Sequence, residues 1–151
     1  MVTPAFDWSG PYIGVYAGFM RIQAATNNPA PIPRAGIQAG YNIVRGRFLA
    51  GVEVQAGIIG FTSPLALEGD LNARLGLLLG ERILLYAEAG IMVLYAPSAP
   101  PPTVLWTLSG GLEVAIGQSW SIFAEGGIAR PFGGGAQAIV VEGGLNWHLG
   151  N

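Results

Sequence analysis

Lysine and cysteine are both missing from this chain, and histidine occurs once, at His148. Without cysteine there is no disulfide framework and no thiolate metal site. A single histidine at one end is a poor start for a Ser/His/acid set, which needs His beside a nucleophile and an orienting carboxylate. No phosphate loop, metal cluster or dinucleotide fingerprint is present, so no catalytic, cofactor-binding or metal-binding residue is expected and the chain reads as a non-enzyme. With no lysine and a formal net charge of −2 there is no basic patch, and nucleic acid is not an expected partner. Charge of either sign is scarce, at 11% of residues, where a soluble domain carries about 25%. Long hydrophobic runs are also lacking. No stretch reaches the roughly 18 uninterrupted apolar residues of a membrane-spanning helix, although half of the 151 residues are hydrophobic and 24 are glycine.

What is present is alternation. In Val104–Ile128, Trp106, Leu108, Leu112 and Val114 share one parity, and Thr107, Ser109, Gly111 and Glu113 the other. A turn at Gly117-Gln118-Ser119 leads to Ile122, Ala124 and Ile128 against Ser121, Phe123, Glu125 and Gly127. Period two marks strands whose faces meet different media. The same pattern predicts strands at about 12–21, 34–44, 48–61, 70–79, 83–95 and 137–149, with tight turns at Arg45-Gly46-Arg47 and Gly80-Glu81-Arg82. Loops are expected at Thr26–Pro33, Thr62–Gly69, Ala96–Pro102 and Arg130–Gly135. Eight strands, an even number with no helix, predict an all-β, antiparallel up-and-down barrel, which closes every edge.

The faces decide the medium. One face of all eight strands is apolar or glycine; the other carries Gly, Tyr, Gln, Asn, Arg and Glu. An eight-stranded barrel has an interior just wide enough for side chains to fill, too small for all the Leu, Ile, Val and aromatic groups. The apolar face is therefore expected outside, against lipid, where only helices and closed barrels satisfy their backbone. Trp8, Tyr12, Trp120 and Trp147 near the turns, with Tyr95 and Trp106 near the loops, read as aromatic girdles.

The motif series resembles a known family. Asp7-Trp8-Ser9-Gly10-Pro11-Tyr12-Ile13-Gly14 is similar to the amino-terminal signature of the small eight-stranded outer-membrane barrels of Gram-negative bacteria (porin-like, opacity and OmpA-type). Gln38-Ala39-Gly40-Tyr41-Asn42, Asn72-Ala73-Arg74-Leu75-Gly76, Gly111-Leu112-Glu113 and Gly144-Leu145-Asn146-Trp147-His148 resemble its later strands. The resemblance implies one outer-membrane barrel domain over 1–151, with residues 1–11 as a periplasmic lead-in and strands over about 12–149. Met1–Ala5 has neither a basic nor an apolar signal region, so the sequence reads as a mature form.

The non-generic feature is a lumenal polar cluster of Glu53, Arg74, Glu88, Glu113, Glu125 and Glu142. Turn centres at Glu81 and Ser119 predict two lumenal pairs, Arg74 opposite Glu88 and Glu113 opposite Glu125, the latter sharing a proton, with Arg74 as the nearest cation. The cluster supports a side-chain-filled lumen and a structural or surface-exposed role; the alternative is a narrow cation-preferring pore, for which lumenal glycines leave space. A soluble lipid-carrying barrel is a third class. Glu68 and Asp70, flanking a loop, are candidates for a weak surface cation site. Expected partners are membrane lipid or detergent and the barrel-assembly machinery, with the chain a monomer. The folded chain should need detergent and should migrate differently on gels before and after boiling; solubility without detergent would point to the lipid carrier.

Overall fold

The computed structural model describes residues 6–24, 29–61 and 65–150. Thr26–Asn28 of the first expected loop and residues 62–64 of the second lie outside the described residues. Eight strands follow one another: β1 (Gly10–Gln23), β2 (Ile32–Arg45), β3 (Phe48–Ile59), β4 (Ala66–Leu79), β5 (Ile83–Tyr95), β6 (Thr103–Ala115), β7 (Trp120–Pro131) and β8 (Gln137–His148). Each pairs antiparallel with the next, and β8 returns to β1, so the sheet closes. Among the described residues there is no helix long and apolar enough to cross a membrane, which says nothing against crossing with strands.

Each strand obeys the alternation of its sequence. Leu75 and Phe48 are 68% and 70% exposed on the outer wall, whereas Arg74 is 2% exposed inside. Outward ladder rows such as Phe48–Leu77–Leu85–Leu112 are apolar across four strands. The turns are made where glycine permits positive φ, at Gly46 (+63°) and Gly80 (+77°), a conformation costly for any residue with a Cβ.

The strands run 12–14 residues, longer than the roughly 9–11 that a tilted strand needs to cross hydrocarbon; β1, β2, β4 and β7 exceed their expected ranges, β5 matches its range, and β3 and β8 stop short of theirs, at Ile59 and His148. The additions fall mostly at the loop end. β4 begins at Ala66 rather than Asp70, and β7 continues through Arg130 to Pro131. Leu67, exposed and apolar, and Glu68, buried, continue the in–out pattern below the expected loop boundary. Thus Glu68 and Asp70 do not flank a loop at the outer surface. Both point into the barrel.

Two apolar layers bound the interior. At the turn end Leu49, Leu78, Leu84, Tyr86 and Ala115 pack with Phe6 and Trp8. At the loop end Met20, Ile59, Met92 and Leu105 pack with Ala129 and Ala138. The polar groups lie between.

Leu75→Arg should block stable insertion, since Arg at the midplane of such a barrel costs about 2–4 kcal/mol. Asn72→Ala, which loses the 3.1 Å hydrogen bond from Thr107, should cost about 1 kcal/mol. Folding of both variants into liposomes checks the facing; equal tolerance would overturn it.

Candidate functional site: a charged lumen closed at both ends

The lumenal glycines do not leave open space. Four bulky lumenal rings each lie across the ladder from a glycine. Tyr12 is opposite Gly40, Tyr16 opposite Gly36, Tyr86 opposite Gly111 and Phe123 opposite Gly144. A Cβ on Gly40 would stand 2.4 Å from the Tyr12 ring, and one on Gly111 2.6 Å from Tyr86. The missing side chain is the bed for the ring.

Between the rings sit seven of the nine acidic residues: Glu53, Glu68, Asp70, Glu88, Glu113, Glu125 and Glu142. Two arginines face them. Arg74 (β4) is directly opposite Glu88 (β5), as a turn centred on Glu81 predicts, and its Nε lies 3.1 Å from Glu88 Oε1. Its Nη2 donates to Glu113 Oε2 and its Nη1 to the Tyr12 hydroxyl at 3.2 Å. The guanidinium lies 3.8 Å from the Tyr86 ring centroid, a cation–π contact made in a desolvated setting. Tyr12 in turn donates to Glu53.

Arg34 (β2) forms the second node, toward the loop end. It bridges Glu68 at 3.0 Å, Glu142 at 3.0 Å and Asp70 at 3.5 Å, and lies 5.1 Å from the centroid of the Tyr16 ring. The carboxylates expected to hold a surface cation are thus held by a buried guanidinium. The nodes are joined by an amide relay. Asn146 donates to Glu113 Oε1 (2.9 Å), Gln38 to Asn146 (2.7 Å), and Gln55 to Gln38 (3.4 Å). Gln55 also donates to Glu53 and Glu142, both at 3.1 Å, and accepts from Arg34 at 3.4 Å. None of Arg34, Gln38, Gln55 and Asn146 was in the expected cluster. Their inward parity was visible in the sequence; their convergence from distant strands depends on closure of the barrel.

The expected Glu113/Glu125 pair is not formed. Glu113 is opposite Phe123, and Glu125 is opposite Gly111 on one side and Glu142 on the other. The β6–β7 connection shifts the register by two residues relative to a turn centred on Ser119, with Ala115 opposite Ser121. Adjacent carboxylates do occur, but across β7 and β8. Beside Glu125 and Glu142 a cavity of about 30 Å3 is lined by Asp70, Asn72, Thr107 and Ser109 among others, room for a very few waters.

The structure does bring Ser121, His148 and Glu113 together, a set that sequence spacing hides. Ser121 Oγ lies 3.0 Å from His148 Nε2, and His148 Nε2 lies 3.3 Å from Glu113 Oε1. The wiring is wrong for nucleophilic catalysis. A triad uses one imidazole nitrogen for the serine and the other for the acid. Here Nε2 faces both, Ser121 donates directly to Glu113, and His148 Nδ1 has no hydrogen-bond partner among the described residues. All three side chains are sealed from solvent.

The turn end is closed by the chain itself. Trp8 is 2% exposed, its Nε1 donating to the Glu81 carbonyl at 3.1 Å. Phe6 and Trp8 meet each other and His148 edge-on, with centroids 4.6–5.5 Å apart. Trp8 and Tyr12 therefore do not belong to an interfacial girdle, because both lie inside. Trp120 and Trp147 do face outward, stacked at 5.9 Å, and Tyr95 and Trp106 have outward parity near the loops.

No family model matches the chain. Over 101 residues it is 33% identical to the 25 kDa outer-membrane immunogenic proteins of Brucella canis and Brucella abortus; the match takes in 60% of this chain and 47% of each relative. The chain is a small outer-membrane β-barrel. It spans about half the length of the curated relatives it matches. Among solved structures this barrel is similar to Neisserial surface protein A (TM-score 0.70, 12% identity, 93% of this chain and 98% of that one). It is likewise similar to Ail, the attachment invasion locus protein of Yersinia pestis (0.65, 12%, 92% and 98%), and to the N-terminal barrel domain of Pseudomonas aeruginosa OprF (0.59, 12%, 90% and 97%). At that identity the likeness is one of fold.

Removing one partner from a buried ion pair leaves the other charge uncompensated, at a cost of about 3–5 kcal/mol. Arg74→Met should therefore be strongly destabilising in urea unfolding from vesicles, and so should Glu113→Gln, which removes the charge facing Arg74 and turns one of the two oxygens that accept from Arg74, Ser121 and Asn146 into a donor. Combined with Arg74→Met, Glu88→Gln should cost less than the sum of the two. Strict additivity would mean that the two side chains are not coupled.

Proposed function

We propose that this outer-membrane barrel has a structural or surface-exposed role, with a lumen filled by its own side chains and no catalytic activity. The observation that carries the reading is the pair of apolar layers closing the ends. Phe6, Trp8, Leu49 and Leu84 stop the turn end, and Met20, Ile59, Met92 and Leu105 stop the loop end. Between them the two arginine nodes pair with five of the seven carboxylates, Glu68, Asp70 and Glu142 at Arg34 and Glu88 and Glu113 at Arg74. In this reading the short turns lie in the periplasm and the longer loops face outward, so a surface role falls to the loop end. Lipid is the surrounding partner, the assembly machinery inserts the chain, and the barrel works as a monomer without nucleic acid. The wiring of Ser121, His148 and Glu113 supports the non-catalytic part.

The second reading, a narrow cation-preferring pore, draws on one observation: seven lumenal carboxylates face only Arg34 and Arg74, so the interior carries an excess of acidic groups. Planar-bilayer recording separates the two. The reconstituted barrel is expected to be silent; stable cation-selective steps from the unmodified chain would overturn the filled-lumen reading.

A further inference from the structure

One feature of the outer wall is not required by the barrel. Gly110 is outward-facing on β6, opposite Ala87 on β5 and Gly126 on β7. A Cβ there would meet only the Tyr86 carbonyl, at the ordinary contact distance of 3.5 Å. Its neighbour Gly111, one residue on and inside, would collide with the Tyr86 ring. Glycine weakens a strand interior and packs nothing, so at position 110 it leaves room on the side away from the lumen. With Ala87 it forms the floor of a groove of about 640 Å3 walled by Phe48, Leu75, Leu77 and Leu85.

The groove has a charged end. Phe48 follows Arg47 in the β2–β3 turn, and Leu85 lies three residues after Arg82 in the β4–β5 turn. Arg47 Nε donates to the Leu78 carbonyl at 3.4 Å, and Arg82 Nη1 to the Ala115 carbonyl at 3.5 Å. Each guanidinium is thereby tied to the barrel rim, one on the β4 side of the groove and the other on the β6 side. The two turns carry Arg45, Arg47 and Arg82 against a single carboxylate, Glu81. An apolar trough that runs into a cationic rim fits an amphiphile with an acyl chain and an anionic head, and guanidinium matches phosphate geometry.

We propose that this groove is a preferential site for an anionic phospholipid of the turn-side leaflet, with an acyl chain over Ala87 and Gly110 and the phosphate between Arg47 and Arg82. Lipid-facing walls in general hold an annulus of whatever lipid is present. This one selects by charge at one end and by the missing side chain in the middle.

The test uses the full chain in nanodiscs of phosphatidylcholine with a minor fraction of phosphatidylglycerol, released into the gas phase for native mass spectrometry. Retained phosphatidylglycerol should be enriched over its bulk ratio, by roughly fivefold for each guanidinium engaged. Arg47→Gln with Arg82→Gln should bring retention back to the bulk ratio. Gly110→Leu should fill the floor and lower lipid retention while gel mobility before and after boiling stays as in the parent chain. No enrichment in the parent chain, or unchanged enrichment in both variants, would overturn the proposal, leaving an ordinary annulus. A dimer that cross-links through Gly110→Cys in place of bound lipid would overturn it in favour of a second copy.

Discussion

The interior depends on the Arg74 guanidinium. It is fully enclosed, it touches Glu88 and Glu113, it donates to Tyr12, and it stacks on Tyr86. Those contacts come from β1, β5 and β6, so one side chain ties three strands to its own. A buried charge is tolerated only when its desolvation is offset by several well-placed partners. The geometry of the other groups follows from that demand. Tyr12 must lie flat over Gly40 to reach the guanidinium, Glu113 must gather Ser121 and Asn146, and Asn146 then passes the chain of amides on toward Arg34.

This makes the two faces of the barrel differ in kind. Outside, any apolar side chain of suitable volume meets the same lipid, and Leu75 or Ile37 is held by little beyond solubility in hydrocarbon. Inside, shape is fixed twice, first by the ring lying on a glycine and then by the hydrogen bonds of the ring's hydroxyl. A likeness to Neisserial surface protein A across 93% of the chain at only 12% identity fits a fold specified by pattern more than by particular residues.

Pattern is also what could be read before the structure. The strand count, the closed barrel and the inward parity of Glu53, Arg74, Glu88, Glu113, Glu125 and Glu142 follow from period-two alternation and from the volume of an eight-stranded interior. The Arg74–Glu88 register follows from a short symmetric turn. Three things were not legible. The Gly117-Gln118-Ser119 connection is not symmetric about Ser119, so Glu113 meets Phe123 and not Glu125. The amide relay joins residues up to 108 positions apart, a proximity that only closure creates. Phe6 and Trp8 precede the first strand, where alternation has nothing to say; an aromatic beside a strand end looks the same whether it lies in an interface or turns inward.

The inward turn of Trp8 gives it surroundings that the other three indoles do not share. Trp106, Trp120 and Trp147 are on the lipid-facing parity and meet the bilayer as soon as their strands insert. Trp8 is held between the Glu81 carbonyl and the His148 ring, from the β4–β5 turn and the last strand, so its surroundings exist only in the closed barrel. Three indoles therefore report entry into the membrane, and the fourth reports that the cylinder has sealed. A chain retaining Trp8 alone would fluoresce as a reporter of closure, and the chain's own residues supply the label.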